Sequence, residues 1–302
     1  MLQRLDFRAM GCQMLALLDV DRRVASFDMV PVWFEAWEQA LSRFRADSEL
    51  SQLNRRSGQW VRVSATLWDV THLALVAAHW TDGLFSPTIL DALEAAGYDR
   101  TFAEIGVDDR SVVAQPDGQW RSIQRQSLKR SIYLPLQARL DLSGIVKGWA
   151  ADRAAKKLGV SGPALIDAGG DIAVSGPRAD GSPWSIGILN PFQADQPFET
   201  LKIAQGGVAT SGRDYRRWLR AGKWQHHLID PHTGLPAQTD VLSVTVIAPT
   251  TFEAEIAAKV IAISGSEQGL AWLEEQPGYA AVIVQEDGQA VYSAHMDNYL
   301  WI

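Results

Sequence analysis

Apolar residues recur along this chain with two periods. Val30, Phe34, Trp37, Leu41 and Phe44 are spaced three or four apart, which predicts an amphipathic helix over residues 30–44. Pro31 falls in its first turn, where a missing N–H costs nothing. Ser64 is the expected N-cap of a second helix, with Leu67, Val70, Leu73, Ala77 and Trp80 facing inward and Gly83 at its end. A third helix follows Gly144, running about Val146–Leu158, and two more are predicted over Phe252–Ser264 and Ser266–Gln276. Strand-like segments fill the intervals. The alternating N-terminus reads as one strand continuing into MLALLDV. SVVA and RSIYLPL follow, with a turn expected at Pro116-Asp117-Gly118. ALIDAGGDIAVSG reads as strand, glycine turn, strand; WSIGIL, ETLKIA and LSVTVIA continue the pattern. YAAVIVQEDGQAVYSA closes the chain as a hairpin turning at Asp287-Gly288. No internal repeat and no low-complexity linker interrupts this order. Strands and helices mix without regular alternation, which predicts an α+β fold rather than a doubly wound sheet.

Composition narrows the classes. Of 302 residues 47% are hydrophobic and 21% charged, enough to build a core and too apolar for a disordered chain. The net charge is -7 and no Lys/Arg run stands out, which argues against a nucleic-acid partner. One cysteine makes neither an internal disulfide nor a zinc cage. No apolar run reaches the length of a membrane span. Ala9-Met10-Gly11-Cys12 is similar to the small-residue box before a lipidated cysteine, but MLQRLDFRAM leaves no room for an apolar stretch and carries Arg4, Asp6 and Arg8. The expectation is a cytoplasmic enzyme or ligand-binding protein.

Four segments carry candidate chemistry. Asp141–Arg153 is a glycine turn opening a helix, with a carboxylate before it and Lys147 in its first turn. Free amides and the helix dipole make such a start a phosphate site, while packing at Gly144 and Gly148 is the structural alternative. The GxxxxGK[ST] order is absent. Asp167-Ala-Gly-Gly-Asp171 is a second glycine turn between apolar strands. Ala209–Arg217 holds hydroxyls and three arginines, of which Arg216 and Arg217 read as exposed. His226–Pro236 holds three of the six histidines in a loop; His227 is the candidate general base, and His226 and His232 read as solvated. The twelve tryptophans read mostly as core.

DLSGIVKGWAADRA, IDAGGDIAVSG, VATSG with RDYRRW, HHLIDPHTGLPA and LSVTVIAPTTFEAEIAAKV, in this order, resemble the successive signatures of the ApbE family. MGC, LSRFRADSELSQLN and DGLFSPTIL resemble its remaining blocks, so the likeness covers roughly residues 7–263. The resemblance implies a single α+β domain over residues 1–302, built of two lobes with mixed and antiparallel sheets, flanking helices and a flavin between the lobes. It implies FAD:protein FMN transfer: the FAD diphosphate is cleaved, FMN passes through its phosphate to a threonine hydroxyl of an acceptor protein, and AMP leaves. A FAD-binding protein without transfer activity and a FAD pyrophosphatase are the alternatives. The family pattern places Met10, Phe44, Leu84, Phe85, Ser86, Asp141, Lys147 and Ile229 on FAD, with Ser86 where aspartate is usual. It makes His227 the transfer base, gives Asp171 a part in shaping the site, and makes the Gly144 carbonyl a Mg²⁺ ligand. The remaining metal positions, usually Asp and Thr, are Glu255 and Lys259. Glutamate still offers oxygen to Mg²⁺, whereas an ammonium has only donors. Either Lys259 stands where the metal would be and meets phosphate or Glu255, or a displaced metal survives on Glu255 and Gly144. The expectation here is the first.

Overall fold

The computed structural model describes residues 1–22, 24–193 and 195–301. The chain divides into two compact units, interleaved in sequence. The first takes Met1–Glu35, Lys147–Tyr215 and Thr239–Ile302; the second takes Ala36–Val146 and Arg216–Gln238. Among the described residues no helix is long and apolar enough to cross a membrane.

The first unit is built on an eight-stranded sheet whose spatial order follows the chain: Leu2–Ala9, Cys12–Asp19, Ala164–Asp167, Ile172–Val174, Gly206–Gly212, Val241–Ala248, Ala280–Gln285 and Ala290–Tyr292. Every neighbouring pair is antiparallel. The single N-terminal strand expected from the pattern is a hairpin instead. Met10 (φ 50°) and Gly11 (φ 71°) both have positive φ, the requirement of a two-residue turn whose twist matches the strands. Leu2–Ala9 is an edge strand, and its outward Arg4, Asp6 and Arg8 discourage pairing with another chain.

In Trp184–Leu189 alternate residues Trp184, Ile186 and Ile188 are buried. That ribbon pairs with Pro197–Ile203 and shares a core with Leu165, Val174, Val208, Ile247 and Val282. Burying each such side chain stabilises the fold by ~1.5–3 kcal/mol. Thr251–Ser264 packs on the central strands, with Ala254, Ile256, Ala257, Ala258, Val260 and Ile261 buried; Ser266–Glu274 follows it. The closing hairpin turns at Gly288 (φ 87°), as the pattern predicts.

The second unit holds Glu49–Asn54, Ala65–Trp80 and Leu90–Ala95 as helices and three small sheets. Ser64 caps Ala65–Trp80 by accepting from the Leu67 amide at 3.2 Å. That helix ends at Trp80, and Leu73 and Trp80 are only half-buried; Thr71, Ala74, Leu75 and Ala78 complete its inner face. The helix predicted over 30–44 runs Val30–Leu41. Beyond Leu41 the Ser48 hydroxyl donates to the Ser42 carbonyl at 2.5 Å and the Ser42 hydroxyl accepts from the Phe44 amide at 3.2 Å, which draws the backbone out of the helix. SVVA forms no strand. Pro116-Asp117-Gly118 is no hairpin turn either: Asp117 uses its carboxylate to accept from the Gly118 amide at 2.7 Å and the Gln119 amide at 3.1 Å. Five tryptophans (37, 120, 149, 184 and 218) are buried while Trp60, Trp224 and Trp301 are exposed, so fewer are core than the composition suggests.

Candidate functional site

The first unit gathers five charged side chains around one helix junction. Val146–Gly159 presents Asp152, which accepts from the Thr251 and Phe252 amides at 2.9 Å each. These are orphan donors of the next helix's first turn, so Asp152 fastens the two helices together. Its burial raises its pKa, against the pull of the two amides. One turn earlier stands Gly148, where a Cβ would lie 2.8 Å from the Thr251 carbonyl oxygen and 2.9 Å from Glu255 Oε2. Only glycine permits this approach, which lets the Gly148 amide donate to Glu255 Oε2 at 3.0 Å.

Glu255 is then fully committed. Its side chain is 2% exposed, and Oε1 takes the Lys259 ammonium at 3.1 Å from one turn along the same helix. Lys147, from the opening turn of Val146–Gly159, pairs with Asp171. Asp171 ends the turn that Gly169 (φ 71°) and Gly170 (φ 95°) allow. Burial opposes the Lys147 charge, but the carboxylates of Asp171 and Glu255 outweigh it and raise the ammonium pKa. Burial, reinforced by Glu255, lifts Asp171 to about 6 against the pull of Lys147 and Lys259. These two carboxylates and two ammoniums offset one another, and the carboxylates of Asp152 and Asp167 add negative charge beside them.

This donor set does not fit Mg²⁺. A divalent ion needs oxygens it does not share with an ammonium. Here both Glu255 oxygens are engaged, and an ammonium holds one of them. Among the described residues no three His, Cys, Asp or Glu side chains gather as a metal-binding group. Gly144 belongs to the second unit, half-buried.

The second unit places Asp141 beside aromatic rings. Asp141 is 4% exposed; its Oδ1 accepts from the Ser143 amide at 2.6 Å and its Oδ2 lies 2.9 Å from Arg43 Nε. The Arg43 guanidinium also donates to the Tyr98 carbonyl at 2.8 Å and stacks 4.0 Å from the Phe44 ring and 4.7 Å from the Tyr98 ring. Tyr98 in turn meets Trp218 at 5.5 Å and His227 at 6.4 Å between ring centroids. Phe44 remains 38% exposed, so the platform has an open aromatic face. Such a face suits a flat heterocycle. Asp141, Phe44 and His227 are thus linked through Arg43 and Tyr98. Sequence reasoning missed both of those; Arg43 stands next to Phe44 and was the accessible clue.

The other expected residues stand close to these groups within their own units: the Asp141 amide donates to the Pro87 carbonyl at 2.8 Å, and Ile229 shares a core with Tyr98. Met10 is in the hairpin turn of the first unit. Leu84 is half-buried and Phe85 is buried. Ser86 donates to Asp117, which also accepts from the Thr88 hydroxyl at 2.7 Å, so a carboxylate from a distant loop stands at the position where aspartate was expected. Ile229 is 1% exposed in a core with Ala92, Leu93 and Trp218, which leaves only its backbone for a ligand. His226 is not solvated: it is buried, with Nε2 3.0 Å from the Ala237 carbonyl oxygen, because it ends a paired strand. His232 is exposed as expected and lies 3.3 Å from Asp230. Arg217 is exposed and stacks on Trp224 at 4.9 Å.

The chain is a member of the ApbE family, whose model matches residues 12–283. It is similar to the FAD:protein FMN transferase of Treponema pallidum, 32% identical over 296 residues that cover 89% of this chain and 80% of that protein. The transferase of Salmonella typhimurium is 29% identical, with 91% of this chain and 78% of that one covered. Among solved structures, the ApbE protein of Thermotoga maritima superposes with a TM-score of 0.90 at 23% identity over the full length of both chains. The flavin transferase ApbE from Vibrio cholerae gives 0.81 at 24% identity, covering 99% of each. These two likenesses establish the α+β fold.

Proposed function

We propose that this chain transfers FMN from FAD to a threonine hydroxyl of an acceptor protein and releases AMP. The observation that carries the reading is the convergence of Lys147, Glu255 and Lys259, assigned from two separate stretches of sequence, on one buried junction. The names of the relatives, which align over most of their length, support it.

In the reaction the hydroxyl oxygen bonds to the FMN phosphorus and the bond from that phosphorus to the bridging oxygen breaks. The oxygen and its electron pair leave with AMP. Charge accumulates on the phosphate oxygens, and fixed cations offset it without reorganising. Lys147, held protonated by its carboxylates, supplies one such charge. His227 takes the hydroxyl proton, a role open to an imidazole at neutral pH. The Phe44–Arg43–Tyr98 platform takes a ring of the substrate by stacking. Asp141 fixes the platform through its ion pair with Arg43.

The test is incubation with FAD and a threonine-bearing acceptor peptide, following AMP, free FMN and peptide mass. Peptide gaining FMN in step with AMP is the expected result. FMN and AMP without labelling would assign a pyrophosphatase, and intact bound FAD a binding protein. His227→Ala should keep FAD affinity within about twofold and lose transfer by roughly a hundredfold or more. Equal loss of both would make His227 a binding residue.

A further inference from the structure

We infer that Lys259 takes the place of a divalent cation, so that this chain engages the FAD diphosphate without metal. The inference rests on the proposed reading for the nucleotide's identity. Its grounds are in the geometry of the four charges. Glu255 and Asp171 side chains are each 2% exposed, whereas those of Lys259 and Lys147 keep 16% and 20% exposure. The lysine side chains are thus more open to an arriving anion than the carboxylates they pair with. An ammonium has three donors. Lys259 spends two on Glu255, on Oε1 at 3.1 Å and on the main-chain oxygen at 3.3 Å. The third is available to a phosphate oxygen.

A metal at the same place would face three obstacles. Glu255 Oε2 is held by the Gly148 amide. Glu255 Oε1 already carries a positive charge 3.1 Å away. Asp171, the other buried carboxylate, is paired with Lys147. The ammonium on Glu255 offsets the charge that would have to strip water from a divalent ion, and such ions dehydrate reluctantly. Lysine differs from a bound ion in being permanent: its charge does not vary with the free-metal concentration.

The first probe is Mn²⁺ alone. Titrated into the wild-type protein, it should leave the free-ion paramagnetic signal undiminished through the micromolar range. FAD should then bind with the same Kd in excess EDTA and in millimolar Mg²⁺. Lys259→Ala should weaken FAD binding about ten- to hundredfold, the worth of one charge-assisted hydrogen bond, and Lys259→Arg should retain most of it. Glu255→Gln combined with Lys259→Met removes both charges together, which guards against a single variant that fails to fold; it should bind FAD as weakly as Lys259→Ala. One Mn²⁺ bound per wild-type chain, FAD binding lost in EDTA, or Lys259→Ala binding FAD like the wild type would each overturn the inference alone. A wild-type protein that binds no FAD under either condition would overturn the transferase reading as well.

Discussion

Gly148→Ala sets two effects against each other. Alanine is the better helix former by about 1 kcal/mol, so on an isolated helix the change would stabilise. In the folded protein the new Cβ lies 2.8 Å from the Thr251 carbonyl oxygen and 2.9 Å from both Thr251 C and Glu255 Oε2. Two of those three atoms are backbone, and the third is a buried carboxylate, so none moves cheaply. Overpacking of this kind costs ~1–3 kcal/mol. If the helices part to relieve it, Glu255 loses the Gly148 amide at 3.0 Å. A hydrogen bond to a charged group is worth ~1.5–3 kcal/mol. Sterics therefore win, with a net loss of about 2–5 kcal/mol and a fall in Tm of about 3–8 °C. Guanidinium denaturation and a thermal melt would measure it, with exchange of the residue-148 amide as the local readout. A variant as stable as the wild type would refute the close approach of the two helices and, with it, the locking of Glu255.

The remaining expectations are narrower. Arg43→Met strands the buried Asp141 charge and should cost ~3–5 kcal/mol, whereas adding Asp141→Asn should recover part of that; strictly additive losses in a double-mutant cycle would show the 2.9 Å pair to be uncoupled. Asp171 binds its proton more tightly folded than unfolded, so its contribution to stability is present below the ordinary carboxylate pKa near 4 and is lost as pH rises through about 6. Lys147, raised from an already high value, stays charged throughout that window. Unfolding free energy should therefore fall between pH 4 and 6, and Asp171→Asn should flatten that segment; an unchanged slope in the variant would contradict the assignment.

Local rules were legible in the sequence, and long-range pairings were not. Ser64 and the Asp287-Gly288 turn follow from side-chain chemistry within a few residues, and both appear where the pattern puts them. The Met10-Gly11 turn was hidden because methionine rarely takes positive φ, so the alternation on either side ran together. Asp117 looked like a turn residue, and its actual partners, Ser86 and Thr88, come from about thirty residues away. Lys259 against Glu255 was visible as a helical spacing of four, but the burial that turns a surface pair into a committed one depends on Gly148, far off in sequence. Tyr98 carried no motif. Its importance arises from Arg43 and Trp218, which only the folded chain brings to it.

The chain-ordered sheet of the first unit has a consequence for synthesis. The hairpin of Leu2–Ala9 and Cys12–Asp19 leaves the ribosome before the other strands of this sheet, yet its next neighbour begins at Ala164. At ~5–20 residues per second, the Cys12–Asp19 edge waits on the order of ten seconds for its partner. During that time it offers unpaired backbone and the apolar side chains of Met14, Leu15, Leu17 and Leu18 to anything nearby. The nascent protein is thus most exposed to misassembly while Ala36–Val146 of the second unit is emerging. A holdase that shields this hairpin would raise yield more than one acting after release.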